Sequence, residues 1–358
     1  MGEEEERVIT ATTGTATSGT APSGTAIAGT AIAGAAIAGN ATAATAISSK
    51  VRRGSSERAE FAFIVASYNN ADYLSRCVRS IREKVGKGRY VLVIVDDASS
   101  DPDVAEVLER LRREDGTVVR AGRRNQGFCR NMNAGISLVL RDFPAVRYLV
   151  LLNQDTQLLT DLTADALRAL ENGGGICGPR LLNADGSVQN SFYEFPTPGK
   201  RLAQLVGLRR AGRFARRLLS SRSVRAPLPP FARTYLKNYL PPGDPLEVPW
   251  LCGACLVVTR EVFADVGLLD EGFRMYGEDM DLCRRAGAAG WRILYFPEGR
   301  VVHHGNVDHR GLSRQRLSTY HASMERFYKK HFTGLRRRTL LLLNRIEEWK
   351  TLARQARK

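Results

Sequence analysis

After residue 60 the sequence alternates short apolar runs with amphipathic segments, and no other feature constrains the fold as strongly. The first runs start at Phe61 and Tyr90 and have the length and β-branched content of buried strands. The segment between them places Leu74, Val78 and Ile81 at helical spacing. Strand–helix–strand order is typical of βαβ units, so we predict an α/β fold with a mixed, mainly parallel sheet flanked by helices.

The same patterns predict the positions of individual elements. We expect Asp72 to cap the first helix. Val301 and Val302 should form an edge strand that ends at His303 and His304, and the chain should be mostly helical after Ser313. The other predicted elements are strands at 61–67, 90–95, 117–120, 148–152, 175–179, 187–194, 251–259 and 291–296, and helices at 104–111, 130–140, 260–266 and 278–289.

Composition divides the chain into three parts. Between residues 8 and 49 there is no charge, and a loose pentad of small residues repeats. Such side chains bury too little area to offset the entropy of ordering, so we predict that 1–58 is a disordered low-complexity extension. A globular domain is expected at 59–308, with a basic lid or insertion at 196–248, followed by a basic helical tail at 309–358.

The formal net charge is +16, and much of the excess lies in one segment. Residues 200–237 contain eleven Lys or Arg and no Asp or Glu, interleaved with Leu, Phe and Val. This amphipathic pattern fits an anionic membrane surface better than a nucleic-acid groove, and a solvated charged loop remains an equal alternative. We expect no nucleic-acid partner.

Cysteine usage and hydropathy indicate where the protein works. Six cysteines without a signal peptide are typical of reduced thiols in the cytosol. No run approaches the roughly 18 apolar residues of a spanning helix. We therefore expect a cytoplasmic protein that lies peripherally on the inner face of the cell membrane.

Polar clusters follow three of the predicted strands, at 67–70, 96–100 and 153–156. In open α/β sheets, ligands bind beyond the carboxyl ends of the strands. The clusters therefore predict where the binding site lies.

Asn153 and Asp155 follow the third long strand. A carboxylate beside a second polar ligand suits a hard divalent cation, Mg²⁺ or Mn²⁺, that carries phosphate oxygens. The alternative is a turn cap, for which Asn and Asp are both favoured. Of His303 and His304, at most one can face the site, because adjacent strand residues point to opposite faces.

Three acids, Glu278, Asp279 and Asp281, begin a predicted helix. Acids at a helix start are favoured by the helix dipole, so capping alone would account for them. The apolar residues before them, Phe273 and Met275, instead predict a buried loop with Asp279 at the mouth of a pocket. A carboxylate held near an acceptor hydroxyl can act as a general base.

Other motifs argue against alternative chemistries. Cys252 and Cys255 form a single C-x-x-C without a second pair, which favours ordinary buried thiols over zinc or redox chemistry. The sequence contains neither G-x-G-x-x-G nor a Walker loop, which argues against dehydrogenases and P-loop enzymes.

Seven motifs taken together resemble family 2 glycosyltransferases of the GT-A fold, closest to the bacterial rhamnosyltransferase-like branch. The resemblance covers about residues 60–308. The motifs are Val65-Ala-Ser-Tyr-Asn, Val95-Asp-Asp-Ala-Ser-Ser-Asp, Asn125-Gln-Gly-Phe, Leu151-Leu-Asn-Gln-Asp-Thr, Gly267-Leu-Leu-Asp-Glu-Gly-Phe, Met275-Tyr-Gly-Glu-Asp-Met-Asp-Leu and Val302-His-His-Gly.

The resemblance implies a role for each matching position. Asp279 is the implied catalytic base, supported by Glu278 and Asp281, and Asp155 and His303 are the implied metal ligands. Gly253 and Trp250 fall on the acceptor side. The implied nucleotide-sugar contacts are Ser67, Tyr68, Asn69, Asp96, Asp97, Asn125, Gly127 and Asn153.

The chain departs from the family pattern at three places. Asn153 replaces the first acid of the D-x-D motif, and Phe128-Cys129-Arg130 replaces a run of small residues. Arg274 stands where an aromatic residue is usual.

The implied function is an inverting, metal-dependent transfer of a sugar from a nucleoside-diphosphate sugar to an acceptor hydroxyl. The branch implies dTDP-rhamnose as donor, and the basic surface suggests a polyprenyl-diphosphate-linked or other glycan acceptor. Two alternatives stay open, a nucleotidyltransferase of related fold and a non-catalytic basic protein of the membrane surface.

Overall fold

The central sheet is built around β1 (Phe61–Ser67), which pairs in parallel with β2 (Tyr90–Asp96) on one side and β4 (Tyr148–Asn153) on the other. The computed structural model describes residues 59–356 except 87, 172, 206–244 and 306–312. The remaining strands are β3 (Thr117–Ala121), β5 (Thr156–Leu158), β6 (Gly174–Leu182), β7 (Phe192–Tyr193), β8 (Leu246–Glu247), β9 (Trp250–Leu251), β10 (Cys255–Thr259) and β11 (Arg292–His303).

Helices cover both faces of this sheet. In chain order the described helices are α1 (Ala71–Lys84), α2 (Pro102–Arg112), α3 (Phe128–Asp142), α4 (Leu162–Leu170), α5 (Pro198–Leu205), α6 (Arg260–Val266), α7 (Glu278–Ala288), α8 (Arg314–His331) and α9 (Gly334–Gln355). One buried cluster joins the sheet to α1, α2 and α4, and a second joins it to α3 and α6 to α9. The predicted α/β layering is confirmed.

The strand order is β3-β2-β1-β4-β10-β6-β11-β5, with β8 paired to β11. The first four strands are parallel, whereas β10 runs antiparallel between β4 and β6. Ser67 pairs with Asp96, and Ala66 pairs with Asn153. This register aligns the carboxyl ends of three strands, so the polar clusters that follow them lie at one edge.

The antiparallel strand β10 brings a distant segment to the same edge. Cys255, its first residue, pairs with Leu152, and the Asn153 N–H donates to the Ala254 carbonyl at 3.1 Å. Gly253 and Ala254 therefore lie beside the end of β4, which the sequence pattern alone did not indicate.

Several predicted elements differ from the structure. The predicted strand 251–259 is two strands, β9 and β10, separated by a turn at 252–254. Val301 and Val302 are not an edge strand, because they end the long strand β11 and pair with both β5 and β6. The predicted strand 187–194 is reduced to β7.

The first helix is capped by Asn70 rather than Asp72. The Asn70 side chain accepts a hydrogen bond from the Tyr73 N–H at 2.9 Å, whereas Asp72 lies in the first turn and pairs with Arg76. The predicted Asp72 cap is wrong because Asn70, not Asp72, holds the extended backbone conformation of an N-cap.

The C-terminal helices form a hairpin that packs against the loop before α7. His321 of α8 and Asn344 of α9 are buried and joined by a hydrogen bond of 2.9 Å. Ser323 donates to the Met275 carbonyl at 2.7 Å, and Lys330 forms an ion pair with Asp270 at 2.7 Å. The hairpin thus holds the loop that leads to Asp279.

Three predicted regions lie largely outside the described residues. These are the N-terminal extension, most of the basic segment 196–248, and the start of the tail. Within the described part of the chain, none of the helices combines the length and apolar content that spanning a membrane requires.

Helix α3 approaches the sheet through Gly135. A Cβ at this position would lie 2.6 Å from the Ile64 methyl and 3.0 Å from a Val95 methyl, both on fully buried side chains. We expect Gly135→Ala to lower the free energy of unfolding by about 1–3 kcal/mol, because overpacking outweighs the gain in helix propensity. Denaturant unfolding measures this.

Gly199→Ala is the matched control. Gly199 is also helical, but nothing lies within 4 Å of its added Cβ. Its stability should stay within about 0.5 kcal/mol of the parent. Equal effects of the two substitutions would contradict close packing at Gly135.

Candidate active site

Asp155 and His303 come together just beyond the ends of β4 and β11. The His303 Nε2 lies 3.6 Å from Asp155 Oδ1, and the His304 N–H donates to the Asp155 carbonyl at 2.9 Å. His303 of β11 pairs with Thr156 of β5. Since Thr156 directly follows Asp155, this pairing places His303 beside Asp155. The predicted proximity of Asp155 and one histidine is therefore present.

Gln189 orients the His303 ring. Its amide nitrogen faces the carbonyl oxygens of Gly305 at 3.2 Å and Asn183 at 3.0 Å, so its oxygen faces His303 Nδ1 at 2.8 Å. An amide oxygen only accepts, so Nδ1 donates and Nε2 presents a lone pair toward Asp155. Burial lowers the pKa of His303, which also favours the neutral ring.

Gly305 leaves space at this pair. An added Cβ would lie 2.5 Å from His303 Nε2 and 2.9 Å from Asp155 Oδ2. The space in front of both potential ligands is thus kept open by the absence of a side chain. Within the described ranges, no cluster of three or more His, Cys, Asp or Glu side chains could hold a metal ion.

Asp279 lies at the same edge, held by backbone N–H groups. Gly253 N–H donates to its Oδ2 at 2.8 Å, and Met280 N–H donates to its Oδ1 at 2.7 Å. Burial raises the pKa of this carboxyl in spite of these bonds. Each oxygen keeps a further lone pair that can accept a proton.

Glu278, its neighbour, is buried and differently placed. Burial and the charge of Asp279 raise its pKa to about 8. Its Oε2 has no hydrogen-bond partner among the described residues. The protonated form of Glu278 is therefore favoured, which reduces the negative charge beside Asp279.

Asp281 does not share this environment. Its carboxylate is fully buried and is paired with Arg285 at 2.8 Å, Lys330 at 2.8 Å and His331 at 2.6 Å. Although burial opposes it, hydrogen bonding to His331 and the cations lowers the pKa of Asp281. Asp281 thus joins α7 to the C-terminal hairpin, and the structure does not bring its carboxylate to Asp279.

The loop before α7 is only partly buried. Phe273 is buried, as predicted, but Met275 is exposed. Tyr276 has a φ of 70°, in the left-handed region that non-glycine residues rarely adopt. Asn69 and Ala98, in two of the polar clusters, also have positive φ. Backbone strain is thus concentrated at this edge of the sheet.

Burial and three acidic residues affect the pKa of Cys252. Its pKa is raised to about 12 by burial first and then by the charges of Asp279, Glu278 and Asp155. Of the three acids, Asp279 contacts the turn between β9 and β10 directly, through the Gly253 N–H. Cys252 and Cys255 are free thiols.

The predicted nucleotide contacts at the end of β2 already hold the neighbouring loops. Asp97 accepts from the Gln126 N–H at 2.8 Å and from the Gly127 N–H at 2.9 Å. Asp96 accepts from Ser99 through both its N–H and its hydroxyl. Lone pairs remain for a ligand, but both carboxylates have structural partners that the sequence did not indicate.

The end of β1 is fixed by hydrogen bonds to the segments that follow β4 and β2. Gln154 exchanges two hydrogen bonds with the Tyr68 backbone, at 2.7 and 3.0 Å. The side-chain oxygen of Asn69 accepts from the N–H groups of Ser100 at 2.7 Å and Asp101 at 3.2 Å. The exposed ring of Tyr68 projects from this rigid turn.

Two buried side-chain oxygens at the strand ends have no hydrogen-bond partner among the described residues. They are Ser67 Oγ and Asn153 Oδ1. A buried acceptor without a partner costs about 1–3 kcal/mol. Their position at the polar edge of the sheet suits ligand contacts.

Aromatic pairs flank the site. Trp250 stacks on Tyr193 at 4.7 Å between ring centroids, and its Nε1 has no hydrogen-bond partner within the described ranges. His304, which follows β11, stacks on Tyr73 at 5.3 Å between ring centroids, whereas His303 faces Gln189 and Asp155. The prediction that the two histidines point apart is consistent with these contacts.

A cleft of about 350 Å³ adjoins Gly127. Arg124, Asn125 and Arg130 line one side, and Glu271 and Arg274 line the other. The Arg274 carbonyl accepts from the Phe128 N–H at 3.1 Å, so the two loops are joined. Two of the departures from the family pattern, at Arg130 and Arg274, therefore meet in one cleft.

Sequence reasoning missed three residues that shape the site. Gln189 faces His303, Gln154 bonds to the Tyr68 backbone, and Gly305 leaves space at Asp155 and His303. Gln154 and Gly305 lie within the Leu151-Leu-Asn-Gln-Asp-Thr and Val302-His-His-Gly motifs, whereas Gln189 lies in none of the seven motifs.

Two family models match this chain. The model described as "Glycosyl transferase family 2" matches residues 62–225, and that described as "Glycosyl transferase family group 2" matches residues 187–352. The second match includes α8 and most of α9.

Curated relatives include two rhamnosyltransferases. The chain is 36% identical over 133 residues to the N-acetylglucosaminyl-diphospho-decaprenol L-rhamnosyltransferase of Mycobacterium tuberculosis, covering 36% of this chain and 37% of that protein. It is 38% identical over 63 residues to rhamnosyltransferase WbbL of Escherichia coli K12, covering 18% of this chain and 24% of that protein. The matches thus span well under half the length of these relatives.

Solved structures share the fold. GalNAc-T7, crystallised with UDP, GalNAc and Mn²⁺, has a TM-score of 0.51 at 16% identity, covering 77% of this chain and 52% of that one. The mannosyltransferase PcManGT of Pyrobaculum calidifontis, in complex with GDP-Man and Mn²⁺, has a TM-score of 0.50 at 13% identity, covering 84% and 74%. The GT-A fold predicted from the motifs is confirmed.

The buried Glu278 carboxyl predicts a pH-dependent stability. Its pKa is raised in the folded protein, so its contribution to stability is fully present below pH 4.5 and is lost as pH rises to about 8. We expect the Tm of Glu278→Gln, relative to the parent, to increase between pH 4.5 and 8. Thermal unfolding across this range measures it.

Glu298→Gln, at an exposed position, is the control. Its Tm difference from the parent should change little above pH 5.5, where an exposed glutamate is ionised in both states. A flat profile for Glu278→Gln would mean that Glu278 is ionised in the fold.

Proposed function

We propose, from the premise that this chain belongs to glycosyl transferase family 2, that it transfers a sugar from a nucleoside-diphosphate sugar to an acceptor hydroxyl with inversion. One observation carries the proposal. The turn at 252–254 bonds to Asp279 through the Gly253 N–H and to the end of β4 through the Ala254 carbonyl. A candidate base and a candidate cation site thus share one edge of the sheet.

Asp155 and His303 fit a divalent cation. Their oxygen and nitrogen donors suit Mg²⁺ or Mn²⁺, and Gly305 leaves the space in front of them open. Two protein ligands leave positions for phosphate oxygens and water. The bound cation would supply counter-charge to the leaving nucleoside diphosphate.

Asp279 is suited to act as the general base. Its carboxylate is oriented by the Gly253 and Met280 N–H groups, and its raised pKa makes it a stronger base than an exposed aspartate. The acceptor hydroxyl gives its proton to Asp279 as its oxygen attacks the anomeric carbon. The bond from that carbon to the diphosphate breaks on the opposite face, so one displacement inverts the configuration.

Glu278 and Asp281 have supporting roles. A protonated Glu278 avoids a second negative charge next to Asp279. Asp281 anchors α7 to Lys330 and His331, which keeps the start of the helix in position. Both are positioning residues in this proposal.

The nucleotide is expected across the ends of β1, β2 and β4. Tyr68 offers an exposed ring for the base or ribose, and Ser67 and Asn153 offer buried oxygens without partners. The acceptor enters past Gly253 and Trp250. Asn69, Asp96, Asp97, Asn125 and Gly127 shape the nucleotide side of the pocket.

The similarity to rhamnosyltransferases favours dTDP-rhamnose as donor. The name of the mycobacterial relative, which specifies N-acetylglucosaminyl-diphospho-decaprenol, favours a lipid-linked glycan acceptor. We therefore propose a cytoplasmic enzyme of cell-surface glycan assembly, peripheral on the inner face of the membrane. The expected membrane role of 200–237 stays a prediction, because 206–244 lie outside the described residues.

Asp279→Asn tests the base. It keeps the size of the side chain but removes its basicity, so transfer should fall by about a thousandfold while donor binding stays nearly intact. Transfer from dTDP-rhamnose to a soluble acceptor gives the rate, and calorimetry gives donor affinity. Asp142→Asn, at a surface ion pair with Arg141, is the control.

A tenth or more of the parent rate in Asp279→Asn, with Asp142→Asn unchanged, would assign the base to another group. Loss of donor binding in Asp279→Asn would instead indicate that the carboxylate holds the pocket together. Either result contradicts the proposed role.

Asp155→Ala tests the cation site. It should weaken nucleoside-diphosphate binding in the presence of Mn²⁺ but not in chelator, because the cation supplies the main counter-charge to the diphosphate. Calorimetry with the nucleoside diphosphate in both conditions measures this. Equal weakening in chelator would mean that Asp155 has a structural role.

A further inference from the structure

We propose that the outer face of α9 binds an anionic lipid surface. Helix α9 packs its inner face on the protein through Leu340, Leu343 and Asn344, which are buried. On the opposite face Leu335 is 80% exposed, Leu342 59% and Trp349 69%. Large apolar side chains this exposed are unusual on a soluble surface and mark an interaction site when they are contiguous.

These side chains form one stripe along the helix. Leu335, Leu342 and Trp349 are spaced by seven residues, and the exposed Arg338 and Arg345 lie between them at the same spacing. At about 100° per residue, the five positions fall within roughly 80° of the helix circumference. At 1.5 Å per residue the stripe extends about 21 Å. We call these five residues the outer stripe.

The charge of the helix matches an anionic surface. Its first turns add Arg336 and Arg337 to the two arginines of the stripe. Glu347 is turned inward, where it pairs with Arg201. Apolar residues flanked by arginines on one face, with tryptophan among them, are typical of helices that lie in the membrane interface.

A second copy of the chain is a less suitable binding partner for the outer stripe than an anionic lipid surface. The seven-residue spacing could form a helix pair, but Arg338 and Arg345 occupy alternate positions of the stripe. Pairing two stripes would bury four arginines without any acid in the stripe to neutralise them. An anionic leaflet neutralises them directly, and the apolar members enter the region below the headgroups.

The hairpin joins this face to the candidate active site. Helix α9 holds α8 through the buried His321–Asn344 pair, and α8 holds the loop before Asp279 through Ser323 and Lys330. A membrane on the outer stripe would therefore lie on the far side of the hairpin that supports this loop. The assignment is independent of the basic segment 200–237 and of the proposed chemistry.

Cosedimentation of the full-length protein with vesicles tests the proposal. Vesicles of phosphatidylglycerol and phosphatidylcholine are compared with pure phosphatidylcholine at equal lipid. We expect the parent to bind only the anionic vesicles, and Arg338→Gln/Arg345→Gln and Leu342→Ser/Trp349→Ser each to bind at least about tenfold more weakly.

Matched controls change the same residue types elsewhere. Arg76→Gln/Arg113→Gln removes the same charge from exposed positions of α1 and the end of α2, and Leu159→Ser removes another exposed leucine. Both controls should bind as the parent does. Circular dichroism checks that every variant is folded.

Tryptophan fluorescence provides a second readout. Of the three tryptophans, Trp349 is the strongly exposed one, so its entry into lipid should shift the emission to shorter wavelength. The shift should be absent in Trp349→Phe, which should still bind.

Four outcomes would overturn the proposal. They are failure of the parent to bind anionic vesicles, equal binding to neutral vesicles, unchanged binding by both stripe variants, and a parent dimer that the stripe variants convert to monomer without lipid. The last would assign the face to a second copy of the chain. Transfer to a soluble acceptor by the stripe variants reports separately on the proposed function.

Discussion

The hydrogen bond from the Gly253 N–H to Asp279 is the interaction on which the candidate site depends. It joins the start of α7 to the turn before β10, and the Ala254 carbonyl joins that turn to the end of β4. A parallel sheet alone would align the ends of β1, β2 and β4. The antiparallel β10 adds a loop from the second half of the chain, and that loop bonds to Asp279 at the edge where the candidate cation ligands Asp155 and His303 lie.

Different partners give these carboxyl groups different properties. Glu278, Asp279 and Asp281 are close in sequence, yet Glu278 lacks a partner for one oxygen among the described residues, Asp279 is held by N–H groups, and Asp281 is paired with Arg285, Lys330 and His331. Their pKa values accordingly move in different directions. Positive φ angles lower stability, and the non-glycine residues that have them in the described ranges, Asn69, Ala98 and Tyr276, lie at the candidate site.

Much of the fold and part of the site could be predicted from sequence. The continuous apolar runs of β1, β2 and β4 identified strands buried on both faces, and their polar ends located the site. Predictions failed where local pattern was ambiguous. The mostly apolar run 251–259 predicted one strand, but it contains a turn at Gly253. Val301 and Val302 predicted a separate edge strand, but they belong to β11, which continues to them through a bulge. Asn and Asp are both favoured N-cap residues, and it is the extended backbone conformation of Asn70 that makes it the N-cap.

By itself the sequence determined the α/β architecture, the strand-end location of the candidate site and the family resemblance, because periodicity and short motifs are local properties. Tertiary structure alone decided which partners hold each of the acids at 278–281 and that Gln189 orients His303. It also decided that Leu335, Leu342 and Trp349 remain exposed. These are contacts between residues far apart in the chain, and a side chain's partners and exposure depend on packing that no local pattern encodes.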